Sequence, residues 1–154
     1  MERMSFERSV LAQYLDRGKL AQVATLDKTG TPAVCNVWYD FTIEPDRLVF
    51  MSRRDRDHSE NIRNNARVAG SIVAIPFEGL GDRVQGLTFK GNASELDPSD
   101  HPETAHHFID RWSNARPPLT SPGQMRLYEI AVTEWQLFDE VNFPEEPKRI
   151  IIPR

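Results

Sequence analysis

Five arginines are concentrated between Ser52 and Arg67, and together they could provide a phosphate-binding site. They are Arg53, Arg54, Arg56, Arg63 and Arg67, and they outnumber the three acidic residues of the same segment. Guanidinium groups form charge-assisted hydrogen bonds to phosphate, and a serine hydroxyl followed by a helix N-terminus would add further donors. The whole chain has a net charge of −4, so this basic patch is local. Charge alone favours a solvated loop over a binding site, because most charge runs are merely solvated.

Three aromatic residues precede the basic patch and could form one wall of a pocket for a planar ligand. Trp38, Tyr39 and Phe41 lie in a stretch rich in β-branched and aromatic residues, which predicts a strand. On such a strand Asn36 and Trp38 share one face, while Tyr39 shares the other with Val37. A planar heterocycle with a phosphate tail would need this kind of aromatic wall beside a basic end. The alternative is that Trp38 is a core residue.

The other candidates for chemistry are weaker. His106 and His107 are adjacent, so their side chains would point about 100° apart on a helix, which does not suit a shared metal ion. Cys35 lies within the predicted strand, and we interpret it as a small buried hydrophobic residue, although His58 could be its neighbour. We therefore predict neither a metal site nor a catalytic thiol.

The elements that must position these residues are predicted from periodicity and turn signals. Helical spacing of apolar residues predicts helices from Ser5 to Arg17 and again after Pro98, where the stripe ending at Trp112 is interpreted as core packing. A short helix follows the basic turn, with Asp57 or Ser59 as its cap. Strands are predicted at 20–26, 33–43, 47–52, 68–75 and 83–96, with one or two more in 124–138, and a loop at 115–123.

This arrangement of elements indicates an α+β fold that is mainly β. Six or seven strands joined at hairpin-like distances favour an antiparallel barrel over a doubly wound parallel sheet. Gly86 and Gly91 in the long strand 83–96 predict a bulge or a close backbone approach. We expect one domain over residues 1–154, with an N-terminal helix in 1–18 and a C-terminal tail at 140–154.

Composition limits the classes of protein to consider. Hydrophobic residues make up 39% and charged residues 27%, which is typical of an ordinary globular chain. The net charge argues against coating of nucleic acid or of an anionic membrane. A single cysteine and an N-terminus with charges spaced throughout predict a cytoplasmic location, and no apolar run is long enough to span a membrane.

In this order the segments ATLDKTGTPAVCNVWY, RLVFMS, HSENIRNNARVAGSIV, VQGLTFKGNASEL and RLYEIAVTEW resemble the pyridoxamine 5′-phosphate oxidase-like family of FMN-binding split barrels. The resemblance covers most of the chain. It implies a split β-barrel of six to seven antiparallel strands with flanking helices. It also implies a homodimer that holds FMN in a groove at the subunit interface.

The resemblance further implies which residues hold the cofactor. The second strand lines the flavin ring, and the end of the third strand with the following turn holds the phosphate. His58 falls on the lysine of the family's turn, and Asp57 falls on an arginine that commonly precedes it, so the phosphate charge must be met by the arginines after Ser52 together with His58. The implied cofactor-binding residues are Asn36, Val37, Trp38, Met51, Ser52, Arg53, Arg54, Arg56, His58, Asn61, Arg83 and Gln85.

Three functions are open at this point. The first is an FMN-dependent oxidoreductase acting on an unidentified small molecule, in which the flavin does the redox chemistry. The second is a carrier or sensor without turnover that binds flavin, deazaflavin F420 or haem. The third and weakest is a barrel that binds single-stranded nucleic acid through the basic patch and the aromatic residues. The ending FPEEPKRIIIPR has no RLHDR-like segment, so the chain is more similar to small family members than to the true oxidase of pyridoxamine phosphate.

Overall fold

The structure, a computed structural model, describes residues 3–121 and 123–154. Residues 1, 2 and 122 lie outside it, and with them part of the predicted N-terminal segment and of the predicted 115–123 loop. The elements in chain order are α1 (Phe6–Arg17), β1 (Leu20–Leu26), β2 (Pro32–Thr42), β3 (Arg47–Arg53), α2 (Asp57–Asn64), β4 (Arg67–Ile72), β5 (Gln85–Leu96), α3 (Pro102–Arg111), a 3₁₀ turn (Ser113–Ala115), α4 (Arg116–Thr120), β6 (Met125–Asp139) and β7 (Lys148–Ile151).

The strands form one antiparallel sheet that closes on itself. Its order is β3-β2-β1-β4-β5-β6-β7, and an additional pairing of β3 with β6 closes the first six strands into a barrel. β7 pairs only with β6 and remains outside the closed ring. The predicted α+β split barrel is therefore confirmed, and the predicted 140–154 tail contains its seventh strand.

The interior of the barrel is filled by large side chains that alternate along the strands. Tyr39, Phe50, Phe89 and Trp135 are all buried there. α1 covers one end of the barrel through Tyr14, whose hydroxyl donates to backbone carbonyls of β4 and β5. Because these side chains leave no open lumen, a ligand must bind on the outside of the barrel.

The predicted close approach in the long strand is confirmed at Gly91. The β5–β6 register shifts between Lys90 and Gly91, which marks a bulge. A Cβ atom on Gly91 would lie 2.5 Å from the carbonyl oxygen of Ala131, so only glycine fits without backbone movement.

Two local predictions are wrong. α2 begins at Asp57 with Arg56 at the N-cap position, and no side chain caps it. Ser59 instead donates its hydroxyl to the carbonyl of Arg53, at 2.7 Å, and so fixes the turn to the helix. Residues 115–120 of the predicted 115–123 loop are helical, because prolines in the first turn of a helix are tolerated where their missing N–H groups have no partner to lose.

The helices after β5 pack on the outside of the barrel and create the cleft described below. Ala105, Phe108 and Ile109 of α3 form a second apolar cluster with Leu119 of α4 and with residues of β3 and β6. The prediction that the α3 stripe packs is confirmed for these residues. None of the helices in the described ranges is long and apolar enough to cross a membrane.

Candidate functional site

A cleft of about 550 Å³ lies between the barrel and the α3 side of the molecule. One wall is β2, the floor is the end of β3 with the first turn of α2, and the other wall is the end of α3 with the 3₁₀ turn. The lining residues are Asn36, Val37, Trp38, Met51, Ser52, His58, Phe108, Trp112, Asn114 and Ala115. Six of the twelve predicted cofactor-binding residues therefore meet in one place.

The β2 wall follows the predicted alternation. Val37 and Tyr39 face the barrel interior, whereas Asn36 and Trp38 face outward. Trp38 is 54% exposed, so the alternative that it is a core residue is wrong. Asn36 accepts a hydrogen bond from Gln22 at 3.1 Å, which orients its amide beside the cleft.

The opposite wall is an aromatic surface that is held rigidly. Trp112 donates its indole N–H to the carbonyl of Tyr39 at 2.8 Å. The rings of Trp112 and Trp38 meet edge to face with centroids 5.1 Å apart. The Arg111 guanidinium lies 5.2 Å from the Trp112 ring and also donates to the carbonyl of Gly18. A planar ligand entering this end of the cleft would therefore meet a preorganised apolar surface.

The α3 side of the cleft was not identified from the sequence. From the sequence, Phe108 and Trp112 are assigned to packing and Ala115 to a loop, and no assignment is made for Asn114. The available signal was that the apolar stripe continues to Trp112, one residue beyond the end of α3. A tryptophan at a helix C-cap has its ring free of the helix surface and can face a neighbouring cleft.

A serine–histidine pair lies at the floor of the cleft. Ser52 Oγ and His58 Nε2 are 2.7 Å apart in a hydrogen bond that links the end of β3 to α2. Burial and the nearby Arg56 guanidinium lower the pKa of His58, against the opposing effect of Asp57. Burial and Arg56 thus disfavour the imidazolium form of His58 relative to a solvated histidine.

The three arginines after Ser52 differ in how far their charges are already neutralised. Arg53 makes a bidentate pair with Asp55, with a shortest distance of 2.8 Å. Arg54 lies 3.7 Å from the carboxylate of Glu95. Arg56 makes no ion pair with any residue in the part of the chain that the structure describes. Arg56 is consequently the arginine whose charge is most available to an added anion.

Glu95 anchors the basic segment to the barrel. Besides Arg54, it binds Arg63 at 2.6 Å and accepts a hydrogen bond from the Tyr128 hydroxyl at 3.0 Å. Burial and the Glu95 carboxylate raise the pKa of Tyr128 to about 12. This network makes Arg63 a structural residue that holds α2 against β5.

The N-terminus of α2 adds hydrogen-bond donors beside the cleft. Arg56 occupies the N-cap position without a side-chain hydrogen bond to the first-turn amides. Exposed first-turn amides and the helix dipole favour an anion at this end of a helix. Ser52 and His58 at the cleft floor, with these amides and the neighbouring Arg56, are a donor set that suits a phosphate.

Besides Arg53, Arg54 and Arg56 of the basic turn, three further predicted residues do not line the cleft. Asn61 is buried and donates to Thr25 at 3.1 Å. Gln85 is buried and donates to Asp139 at 3.0 Å. Arg83 is exposed in the 73–84 connection at another edge of the barrel. Internal partners occupy the first two side chains, so any contact of this group with a cofactor remains a prediction.

Of the other candidates for chemistry, His58 and His107 have hydrogen-bond partners. Cys35 is half-buried, and burial raises the pKa of its thiol. His58 bonds to Ser52, while His107 hydrogen-bonds to Asp40 and thereby ties α3 to β2. Within residues 3–121 and 123–154, no group of three or more His, Cys, Asp or Glu residues is placed to hold a metal ion.

Comparison with known families decides the family of this chain. The model of the family described as pyridoxamine 5′-phosphate oxidase matches residues 9–139. The chain belongs to this family. The matched range contains the whole closed barrel and every residue that lines the cleft.

A UPF0306 protein of Pasteurella multocida is a curated relative of this chain and is 30% identical to it over 82 residues. That match covers 48% of this chain and 54% of the relative, so the chain spans about half the length of the curated relative that it matches.

Solved structures share the fold at low identity. An FMN-binding protein related to pyridoxamine 5′-phosphate oxidase from Nostoc punctiforme has a TM-score of 0.70 at 12% identity, over 97% of this chain and 91% of its own. A haem-binding protein from Mycobacterium smegmatis has a TM-score of 0.73 at 16% identity, over 99% and 60%. An F420 reductase has a TM-score of 0.56 at 19% identity, over 80% and 93%.

Proposed function

We propose that the cleft binds FMN and that the protein is a flavin-dependent oxidoreductase acting on a small molecule. The observation that carries the proposal is the meeting of six predicted cofactor residues in one cleft. Next to this cleft lie the N-terminus of α2, which has no side-chain cap, and Arg56, which makes no ion pair with the described residues. A family that contains the FMN-binding Nostoc punctiforme protein supports this choice of ligand.

The two ends of the cleft suit the two parts of FMN. The aromatic end, with Trp38 and Trp112, offers an apolar surface for a flavin ring, and Asn36 adds a polar group at its edge. The opposite end offers Ser52, His58 and Arg56 to a phosphate monoester. Bound FMN would supply the redox chemistry, and these side chains would orient it and shield it from water.

The protein is proposed to act as a homodimer, as the family resemblance implies. The outer face of the sheet beside the cleft exposes Leu20, Val34 and Val73 as well as Trp38. Exposed apolar side chains grouped on one sheet face are typical of an interface. In a dimer, Arg83 and Gln85 would reach a flavin only if the second copy brings its own β4–β5 edge to the cleft.

A carrier or sensor without turnover is the second candidate. It is favoured by the shared fold with the haem-binding Mycobacterium smegmatis protein and with the F420 reductase, because the same barrel evidently accepts different ligands. The nucleic-acid alternative is not proposed, since Arg53, Arg54 and Arg63 are already paired with carboxylates.

The visible absorption spectrum of the purified protein tests the proposal directly. A flavin spectrum, or its recovery after addition of FMN to protein stripped of ligand, is the expected result. A haem or deazaflavin spectrum would support the second candidate, and a protein that neither carries nor binds any of the three would contradict both. Turnover is then tested by following reduction of the bound flavin by nicotinamide donors and its reoxidation by a panel of small acceptors.

Replacing Arg53, Arg54 and Arg56 together by alanine separates phosphate recognition from ring recognition. We expect this variant to lose far more affinity for FMN than for riboflavin, because only FMN carries the phosphate. Equal losses for the two ligands would contradict the assignment of the phosphate to this end of the cleft.

A further inference from the structure

We propose that His58 takes up a proton when FMN binds, so that the phosphate is held by an imidazolium whose charge is absent from the ligand-free protein. The inference rests on the proposed function. It adds to specificity, because the affinity of the cleft would depend on pH for flavins that carry a phosphate monoester and not for other flavins.

The first support is geometric. His58 lines the cleft floor, and its Nε2 lies 2.7 Å from Ser52 Oγ at the end where Arg56 and the α2 N-terminus meet. A phosphate seated there would contact the serine hydroxyl and the imidazole together. Imidazolium is a donor at both ring nitrogens, whereas the neutral ring offers one donor and one acceptor.

The second support is the set of charges around the ring. On its own helix His58 feels Arg56, which lowers its pKa, and Asp57, which raises it. The other elements at the cleft present neutral groups to it, namely Asn36 of β2, Phe50 and Ser52 of β3, and Asn114 of the 3₁₀ turn. No carboxylate among the described residues accepts a hydrogen bond from His58, so a bound phosphate would be its first strong anionic partner.

The sign of the effect follows from linkage. Desolvation and Arg56 disfavour the imidazolium in the free protein, while an adjacent phosphate anion favours it, so the pKa of His58 is higher in the complex. FMN affinity is then greatest at a pH below the pKa of His58 in the free protein, which lies under 6.5. The affinity falls as pH rises from that pKa through the higher pKa of His58 in the complex. Each pKa unit of difference corresponds to a tenfold change in Kd.

The phosphate of FMN titrates in the same range, but with the opposite sign. Its second pKa is about 6, so its charge becomes more negative as pH rises, which by itself strengthens binding to arginine. A fall in FMN affinity with rising pH therefore cannot arise from the ligand. It requires a protein group that loses positive charge.

The test measures Kd for FMN and for riboflavin by flavin fluorescence between about pH 5.5 and about pH 8.5. Calorimetry in two buffers of different ionisation enthalpy counts the protons taken up. For the unmodified protein we expect the FMN Kd to rise by about tenfold over this range, with net proton uptake near neutral pH. Riboflavin should show neither effect.

Two variants at the same position complete the test. H58Q should bind FMN weakly, without proton uptake and without loss of affinity as pH rises. H58K should bind FMN tightly across the range without proton uptake, because a lysine next to phosphate stays charged. A merely structural histidine would not be replaced in this way by lysine.

The outcomes separate the two proposals. FMN binding with no proton uptake by the unmodified protein, a measurement that needs no variant, would overturn the role of His58 and leave the proposed function intact. A pH dependence that persists in H58Q would also overturn it. Failure of both flavins to bind at any pH would overturn the proposed function and this inference with it.

Discussion

Arginine residues occupy two contrasting regions of this protein. In one the arginine is paired with a buried carboxylate, and in the other it is exposed beside the cleft. In the buried cluster of Arg8, Asp46 and Trp135, the Arg8 guanidinium binds both Asp46 oxygens, at 2.7 and 3.2 Å. The Trp135 indole and the Glu44 N–H donate to the same carboxylate. At the cleft floor, by contrast, Ser52 and His58 form a hydrogen bond, and the neighbouring Arg56 is exposed and makes no ion pair within residues 3–121 and 123–154.

The difference shows how a cationic side chain becomes either structural or available for a ligand. A buried charge must be neutralised and hydrogen-bonded within the fold, because leaving it unpaired costs several kcal/mol. Asp46 neutralises Arg8, which joins α1 to the β2–β3 turn and β6, although Arg8 Nε has no hydrogen-bond partner among the described residues. Arg56 lies at the surface, where water satisfies it at little cost until an anion arrives.

The most severe test of this comparison is Asp46→Asn. It leaves the buried Arg8 without an anionic partner, so we expect a loss of about 3–5 kcal/mol in the free energy of unfolding. Urea denaturation followed by tryptophan fluorescence measures it. The matched control is D55N in the exposed pair with Arg53, which should show no measurable loss. Equal effects of the two variants would mean that burial does not distinguish the regions.

Next in size is the effect of Arg56→Ala on the cofactor. A charge-assisted hydrogen bond to phosphate contributes about 1.5–3 kcal/mol, so we expect the FMN Kd to rise by tenfold or more while the riboflavin Kd is unchanged. Fluorescence titration with both flavins measures this ratio.

R53A is the matched control for R56A, because it removes the same charge from the same turn. Arg53 is already paired with Asp55, so its loss should affect FMN less. If R53A proved the more damaging of the two, the ion pairs in the free protein would be a poor guide to which arginine meets the phosphate.

The pH dependence of stability should differ between the two regions. Burial opposes ionisation of Asp46, but hydrogen bonds from Arg8 and Trp135 hold the pKa of its carboxyl below the usual range. Its contribution to stability is therefore complete above about pH 4 and is lost as pH falls through the lower pKa of the folded state. The free energies of unfolding of the unmodified protein and of D46N should converge as pH falls below about 4. A constant gap between them would contradict the assignment.

The smallest predicted effect concerns the aromatic end of the cleft. Trp112→Phe keeps an aromatic ring but removes the hydrogen bond to the Tyr39 carbonyl. A net contribution of about 1 kcal/mol for such a bond predicts a loss of affinity of several fold, equal for FMN and riboflavin. A loss confined to FMN would mean that the phosphate, and not the ring, lies at this end.

Much of the fold was predictable because the local sequence patterns favour the same strands that form the barrel. β1, β2 and β3 lie within a residue or so of their predicted bounds, since their alternation is set by a single buried face. The predictions failed where tertiary contacts override local preference. The cap of α2 is one example, because Ser59 is used to hold the Arg53 carbonyl, and the helical residues 115–120 are another.

The candidate site was predictable on one side only. Asn36, Trp38, Met51, Ser52 and His58 could be identified because they lie within contiguous motifs of the family. Trp112 and Asn114 are far from those motifs in the chain, and only the packing of α3 against β3 and β6 brings them to the cleft. Asn61 and Gln85 were assigned to the cofactor by position alone, and internal hydrogen bonds occupy their side chains.

The sequence by itself determined the family, the closed barrel and the presence of a basic turn after the third strand, because periodicity and motif order are properties of neighbouring residues. Only the tertiary structure decided which arginine is available, because pairing depends on which carboxylates the fold brings within about 4 Å. The basic segment contains five arginines in the sequence. The fold engages Arg53, Arg54 and Arg63 in ion pairs. Arg56 and Arg67 make none with the described residues, and of these two it is Arg56 that lies near His58 of the serine–histidine pair.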